Sequence, residues 1–160
     1  MRVRKHNLSS RRQIVVGGAS MVGCILAFTS TTSNAQQQTT NRVIKTAQKA
    51  FDYFSFGIAS GNWQPLLDML TDDCTARIPV AKFKTQNSGK DTIAAYFRFL
   101  SQELKIKAIL TPVSVTNNHN TVGFEFTVKG TAAGKPTNTQ NTVFFDVRGD
   151  KVSGFREYFG

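Results

Sequence analysis

The stretch Ser60–Val80, SGNWQPLLDMLTDDCTARIPV, constrains the fold more than any other part of the chain. Ser60-Gly61 indicates the end of one helix, because glycine readily adopts the left-handed conformation that closes helices. Asn62 can cap a second helix, and Pro65 fits its first turn, where backbone amides lack intrahelical partners. Polar residues Thr71–Asp73 are predicted to follow that helix. A half-buried strand is predicted next, with these residues pointing inward: Cys74, Ala76 and Ile78.

Two more helices are predicted by apolar residues that recur every three or four positions. The first begins near Asn41, with the stripe Ile44, Ala47, Phe51, Phe54 and Ile58. The other follows Ser88-Gly89, with the stripe Ile93, Phe97, Leu100 and Leu104. From Lys105 onward, alternating apolar residues predict strands, and the polar segment Thr131–Gln140 is predicted to be a loop. The fold class is therefore α+β, with three N-terminal helices packed on a curved antiparallel sheet.

Residues 1–35 have the composition of a secretory signal peptide. Five basic residues precede the uncharged apolar run Ile14–Phe28, and the small residues Ser33-Asn34-Ala35 follow it. The run is shorter than the roughly 20 residues that span a bilayer, although a retained membrane anchor is the alternative. Ser10–Val15 also resembles a twin-arginine signal, through Arg11 and Arg12. We predict export to the periplasm or the medium, a disordered tether at residues 36–41, and one domain at residues 42–160.

Charge and residue types exclude several functions. Five of the 20 basic residues and none of the 10 acidic residues precede residue 36, so the remainder has 15 basic and 10 acidic residues. The positive charges are scattered, which argues against a nucleic-acid partner. Cys74 and His119 are the only cysteine and histidine after residue 35, so we expect no metal site and no cofactor. Cys74 is predicted to be a buried thiol, with an intermolecular disulfide as the alternative.

Five segments of the chain resemble the SnoaL-like, nuclear-transport-factor-2-like superfamily. They read GNW, SGKDTIAAYF, TVGFEFTVKG, NTVFFDVRGDKV and FREYF, and the resemblance extends from about Val43 to Phe159. It implies a cone-shaped α+β fold with a pocket between helices and sheet. These motifs mark the fold and not a reaction, because the fold hosts enzymes, accessory subunits and ligand carriers alike.

The ketosteroid isomerases, which share this fold, use a tyrosine, an aspartate and a second acid. The matching positions here are Phe54, Ile78 and Val143. Tyr53 is adjacent to the first position, but one residue rotates a helical side chain by roughly 100°. Because isoleucine cannot shuttle a proton, the resemblance does not extend to that mechanism.

Strand alternation and the resemblance together predict the lining of the pocket. The apolar candidates, which could equally form a filled core, are Phe54, Ile78, Phe97, Phe124, Phe126, Val143, Phe145, Phe155 and Phe159. Glu157 shares the strand face of Phe155 and Phe159, so we predict an inward carboxyl with a raised pKa that acts as a base or ligand anchor. Tyr53 and Arg77 are weaker candidates. The alternative is a Glu157 at the mouth of the cone, paired with Arg77 or Lys82.

The sequence leaves three functions open. The first is an exported domain that binds a small apolar molecule. The second is a cyclase, isomerase or dehydratase that uses Glu157 with a polar helper such as Tyr53 or Arg77. The third is a protein-interaction module, because sheets of this family often pair into homodimers, and Phe56, Ile109 and Phe144 could belong to such a surface.

Overall fold

The computed structural model describes residues 29–83 and 87–160, which form helices on one face of a curved sheet. The helices are α1 (Thr29–Ser60), α2 (Gln64–Met69) and α3 (Lys90–Arg98), the last continued by a π-helical turn at Phe99–Glu103. The strands are β1 (Leu70–Arg77), β2 (Asn87–Ser88), β3 (Lys107–Asn118), β4 (Thr121–Ala132), β5 (Lys135–Arg148) and β6 (Lys151–Phe159). The predicted α+β class is confirmed.

The six strands form one sheet in the order β2-β1-β6-β5-β4-β3. Every neighbouring pair is antiparallel except β1 and β6, which run parallel, so the sheet is mixed where a purely antiparallel one was predicted. The tight turn before Lys151 makes β6 antiparallel to β5, and β1 pairs with the other edge of β6. Sequence alternation reports which residues face inward but not the direction of the neighbouring strand.

Helix α1 covers the concave face of the sheet with its apolar stripe. Phe51 stacks on Phe124 of β4 at a centroid distance of 4.7 Å, and Phe54 meets Phe126 at 6.2 Å. At the end of α1, Gly57 leaves room for Trp63, because a Cβ there would lie 2.2 Å from the indole ring. Trp63 in turn stacks on Phe97 of α3 at 4.3 Å, which links the three helices.

The start of α1 differs from the prediction. Residues 36–41, predicted as a disordered tether, are helical and mostly exposed, because α1 begins at Thr29. Their glutamines and threonines are polar and mostly exposed, so the segment has no apolar period that would reveal a helix. The predicted signal peptide lies outside the described residues up to position 28, and its last seven residues belong to α1. Among the described residues, no helix is long and apolar enough to cross a membrane.

Two polar segments that were predicted to lie outside the strands are extended. Thr71–Asp73 lies within β1, and Thr131–Gln140 forms the tip of the β4–β5 hairpin. Ala133 (φ 49°) and Gly134 (φ 75°) make the two-residue turn, since this class of hairpin needs positive φ at both positions. The segment is polar because much of it is exposed, while its β-branched threonines still favour strand geometry. The longer hairpin extends the concave wall.

Candidate functional site

A cavity of about 230 Å³ opens between the concave sheet and the helices, towards the tip of the β4–β5 hairpin. Helix α1, helix α3 with its π-helical turn, and strands β3 to β6 all contribute to its wall. Its lining is mostly aliphatic and aromatic, with few polar groups: Phe54, Ile58, Val80, Tyr96, Leu100, Leu104, Ile106, Leu110, Phe126, Val128, Ala132, Thr137, Thr139, Asn141, Glu157 and Phe159.

Glu157 projects from β6 into this cavity and is 6% exposed. The hydroxyl of Tyr96 donates a hydrogen bond to Glu157 Oε2 at 2.8 Å. Strand alternation places Glu157 inward after Phe155, and Tyr96 shares the buried face of α3 with Ile93. The ion pair considered from the sequence does not form, because Arg77 is exposed at the end of β1 and Lys82 pairs with Glu103 at 2.7 Å.

Burial controls the protonation of this pair. It raises the pKa of Glu157 from 4.5 to about 7, against the lowering effect of the hydrogen bond from Tyr96. Burial also raises the pKa of Tyr96 well above 10, and the neighbouring Glu157 carboxylate adds to this effect. Tyr96 therefore stays a hydrogen-bond donor at neutral pH, while Glu157 exchanges its proton near neutrality.

Asn141 supplies a second polar group on the same wall. Its side-chain oxygen Oδ1 is buried and accepts no hydrogen bond from any described residue. It lies on β5, on the face of Val143, and pairs across the sheet with Phe159. Buried side-chain oxygens in native proteins are normally satisfied, so this one requires an explanation.

The structure divides the residues predicted for the pocket into two groups. Phe54, Phe126, Glu157 and Phe159 line the cavity. The others on the inward list are buried in the filled core behind it: Ile78, Phe97, Phe124, Val143, Phe145 and Phe155.

The two weaker candidates lie elsewhere. Tyr53 is half-buried in a separate surface groove, with Lys49 Nζ 5.6 Å from its ring centroid. Arg77 is exposed and does not line the cavity.

The sequence prediction missed Tyr96, Asn141 and the hairpin threonines Thr137 and Thr139. Tyr96 lies three residues after Ile93 on the apolar stripe of α3, and a hydroxyl on a buried stripe is a usable signal for an internal hydrogen bond. The sequence predicts a loop over Thr137 and Thr139 and gives no orientation for Asn141, because their inward orientation follows only once the hairpin is known to be extended.

The positions that match the isomerase catalytic groups, and the single cysteine of the domain, hold buried side chains. Phe54, Ile78 and Val143, at the positions of the isomerase catalytic groups, are buried and apolar. Cys74 is fully buried as a free thiol, and burial raises its pKa to about 12, so it is unreactive near neutral pH. Within residues 29–83 and 87–160, no group of three or more His, Cys, Asp or Glu side chains could hold a metal ion.

A helix-covered cone with an internal cavity defines a class of small α+β domains, and comparison with known proteins specifies the family. The family model described as "SnoaL-like domain" matches residues 50–155, and the chain belongs to this family. A search of curated proteins found no match.

Solved structures support the same assignment. An NTF2-like protein from Anabaena variabilis is 35% identical, with a TM-score of 0.72, covering 86% of this chain and 96% of its own. A proposed SnoaL-like polyketide cyclase from Jannaschia sp. is 14% identical, with a TM-score of 0.62, over 74% of this chain and 85% of its own. A proposed polyketide cyclase from Xanthomonas campestris is 19% identical, with a TM-score of 0.60, over 75% of this chain and 91% of its own. The last two similarities concern the fold alone.

Proposed function

We propose that this protein binds a small, mostly apolar molecule whose one polar end contacts Glu157. The observation that carries this function is a buried, hydrogen-bonded carboxyl facing an otherwise apolar cavity of about 230 Å³. Pockets for drug-sized ligands measure roughly 300–1,000 Å³, so the ligand of this cavity is smaller than such molecules. An ionisable group that served stability alone would be better replaced by an apolar one, because burying a carboxyl is costly.

The test is mass spectrometry of small molecules extracted from the purified protein, compared with an Ala132→Leu variant. Ala132 lines the cavity, and the larger side chain fills part of it. We expect a molecule that is enriched with the wild-type protein and lost from the variant. Equal amounts in both preparations, or no enriched molecule together with no binding of small probes, would refute ligand binding in this cavity.

A second function is favoured by the proton chemistry of the pair. A general base works best when its pKa lies near the operating pH, and the pKa of Glu157 is about 7. Tyr96 replaces Tyr53 and Arg77 as the polar helper, since its hydroxyl lies 2.8 Å from Glu157. The reaction would be a cyclisation, isomerisation or dehydration that begins with proton removal.

The two functions predict different effects of Glu157→Gln. In a carrier, the substitution weakens ligand binding by roughly 1–3 kcal/mol, the value of a hydrogen bond to a charged group. In an enzyme, it leaves binding nearly intact and lowers turnover by roughly 100-fold or more. If neither binding nor turnover changes, Glu157 has no part in the site.

A homodimer is proposed through the outward face of the sheet. Ile109 on β3 is 73% exposed, and Phe144 on β5 shares its face, half-covered by Tyr158 at a ring distance of 5.9 Å. Phe56 is also exposed, but it lies on α1 at the concave side and does not extend this surface.

A stable pairing of two such sheets would bury at least roughly 1,000 Å². Light scattering should give twice the chain mass, and Ile109→Lys should shift it to the monomer. A monomeric wild type would refute the dimer.

We propose export from the composition of residues 1–35, of which residues 1–28 lie outside the described part of the chain. Cleavage after Ala35 would leave the residues of α1 that pack on the sheet. N-terminal sequencing of the exported protein should begin at Gln36, and a Met1 start would refute processing. Replacing Arg11 and Arg12 by Lys should block export if the twin-arginine route is used.

A further inference from the structure

Two acceptors in the cavity wall, the Glu157 carboxyl and Asn141 Oδ1, can take further hydrogen bonds. Tyr96 uses its hydroxyl hydrogen on Glu157 Oε2, and among the described residues no other group donates to this carboxyl. Asn141 Oδ1 is buried without a donor from the described residues. An unpaired buried acceptor costs roughly 1–3 kcal/mol, so a ligand that supplies donors to it gains this energy.

The two acceptors are positioned to share one ligand group. Val143 pairs directly with Glu157 and Asn141 with Phe159, so Glu157 and Asn141 are diagonal neighbours on the same face of adjacent strands. Such neighbours lie roughly 7–8 Å apart at their Cα atoms. A single nitrogen with two or three hydrogens, placed between the side chains, can donate to both.

The rest of the wall favours a cation with an apolar body. Phe54, Tyr96, Phe126 and Phe159 contribute aromatic rings, and aromatic faces attract ammonium groups. Tyr96 is the one titratable residue besides Glu157 among the described lining residues, and no lysine or arginine is among them. Nothing positive in the described wall would therefore repel an ammonium group or compete with it for Glu157.

We infer that the ligand is a small apolar amine whose nitrogen donates to Glu157 and to Asn141. This inference rests on the proposed binding function and specifies its ligand class. The amine nitrogen satisfies both acceptors, its charge is balanced by the Glu157 carboxylate, and its hydrocarbon part fills the cavity. A pKa near 7 allows Glu157 to release its proton when the cation binds.

Three probes of similar shape test the ligand class: cyclohexylamine, cyclohexanol and cyclohexanecarboxylic acid. Each is titrated into the full chain at pH 7 in a calorimeter. We expect cyclohexylamine to bind roughly 10-fold or more tightly than cyclohexanol, as one added charged hydrogen bond would give. The carboxylic acid should bind weakest, because its anion would meet the Glu157 carboxylate.

Variants identify the contacts. Glu157→Gln should reduce the affinity for cyclohexylamine by roughly 10-fold or more, and that for cyclohexanol by less than about threefold. Asn141→Leu should reduce amine binding by roughly two- to tenfold, and it tests the site independently if Glu157→Gln fails to fold. Glu103→Gln, on the exposed carboxyl paired with Lys82, is the matched control and should change neither affinity.

The outcomes distinguish a failure of the amine assignment from a failure of the proposed ligand binding. If cyclohexanol or the acid binds as tightly as the amine, or if amine preference survives both cavity substitutions, the amine assignment is wrong and ligand binding stands. If none of the three probes binds the wild-type protein, both are wrong.

Discussion

The two halves of the cone have the same strand alternation, but side chains fill one half and leave a cavity in the other. In the filled half, Phe97 stacks near Phe155 at 5.8 Å, and Phe145 meets Phe155 at 6.2 Å. In the open half, smaller residues of the β4–β5 hairpin line a cavity together with Tyr96 and Glu157. The difference shows that an inward position in this fold becomes core or pocket according to what the opposite element supplies.

The largest effect is expected in the filled half, from Phe155→Ala. Phe155 is 1% exposed and contacts aromatic rings on α3 and β5. Its removal should lower the free energy of unfolding by roughly 3–5 kcal/mol, through lost burial and a new void. Urea unfolding measures this against Phe159→Ala, which shortens a half-exposed side chain at the cavity and should cost less than about 1 kcal/mol. Equal losses would remove the distinction between the halves.

The second effect concerns the pH dependence of stability. The pKa of Glu157 is about 7 in the folded protein and near 4.5 when the chain is unfolded. The folded state therefore holds the proton more tightly, so stability is complete below about pH 4.5 and falls as the pH rises through 7. The shift corresponds to roughly 3 kcal/mol between pH 4.5 and 8.

Urea unfolding at a series of pH values measures this decline. Glu157→Gln has no proton to lose, so its stability should stay nearly constant over the same range and exceed that of the wild type at pH 8. A wild-type curve that is flat between pH 5 and 8 would contradict the burial of the carboxyl.

These two tests also separate what the sequence could predict from what it could not. Alternation along β6 placed Glu157 inward beside Phe155, and the stripe on α3 placed Phe97 against the sheet. Neither pattern shows whether the space opposite is filled, because that depends on where α3 and the β4–β5 hairpin lie in the fold. Four predicted lining residues therefore line the cavity, while Phe145 and five others form core.

Other differences have the same origin in tertiary context. Residues 36–41 near the start of α1 are mostly exposed, so no apolar periodicity marks them. The parallel pairing of β1 with β6 is visible only in the folded sheet. The hairpin tip reads as a loop because it is polar on both faces. The sequence gives no orientation for Asn141 at the end of this segment, although its side-chain oxygen in the cavity wall accepts no hydrogen bond from the described residues.

Removing the hydroxyl of Tyr96, in the open half, should have a moderate effect on stability and on the pKa of Glu157. Tyr96→Phe keeps the ring and loses the hydrogen bond to Glu157, at a cost of about 1 kcal/mol near pH 5. Because this hydrogen bond lowers the pKa of Glu157, the pKa should rise further above about 7 in the variant. Carboxyl NMR titration measures the change, and an unchanged pKa would mean that the two groups do not interact in solution.

The smallest change in stability is expected from filling the cavity itself. Ala132→Leu adds a side chain in the open half, where the space is free, so the free energy of unfolding should change by less than about 0.5 kcal/mol. Ala76→Leu makes the same substitution on β1, at a residue 1% exposed in the packed core, and should cost roughly 1–3 kcal/mol through overpacking. Binding should show the reverse order: Ala132→Leu should abolish cyclohexylamine binding, and a folded Ala76→Leu protein should retain it. If Ala132→Leu is as destabilising as Ala76→Leu and still binds the probe, the cavity is not the ligand site.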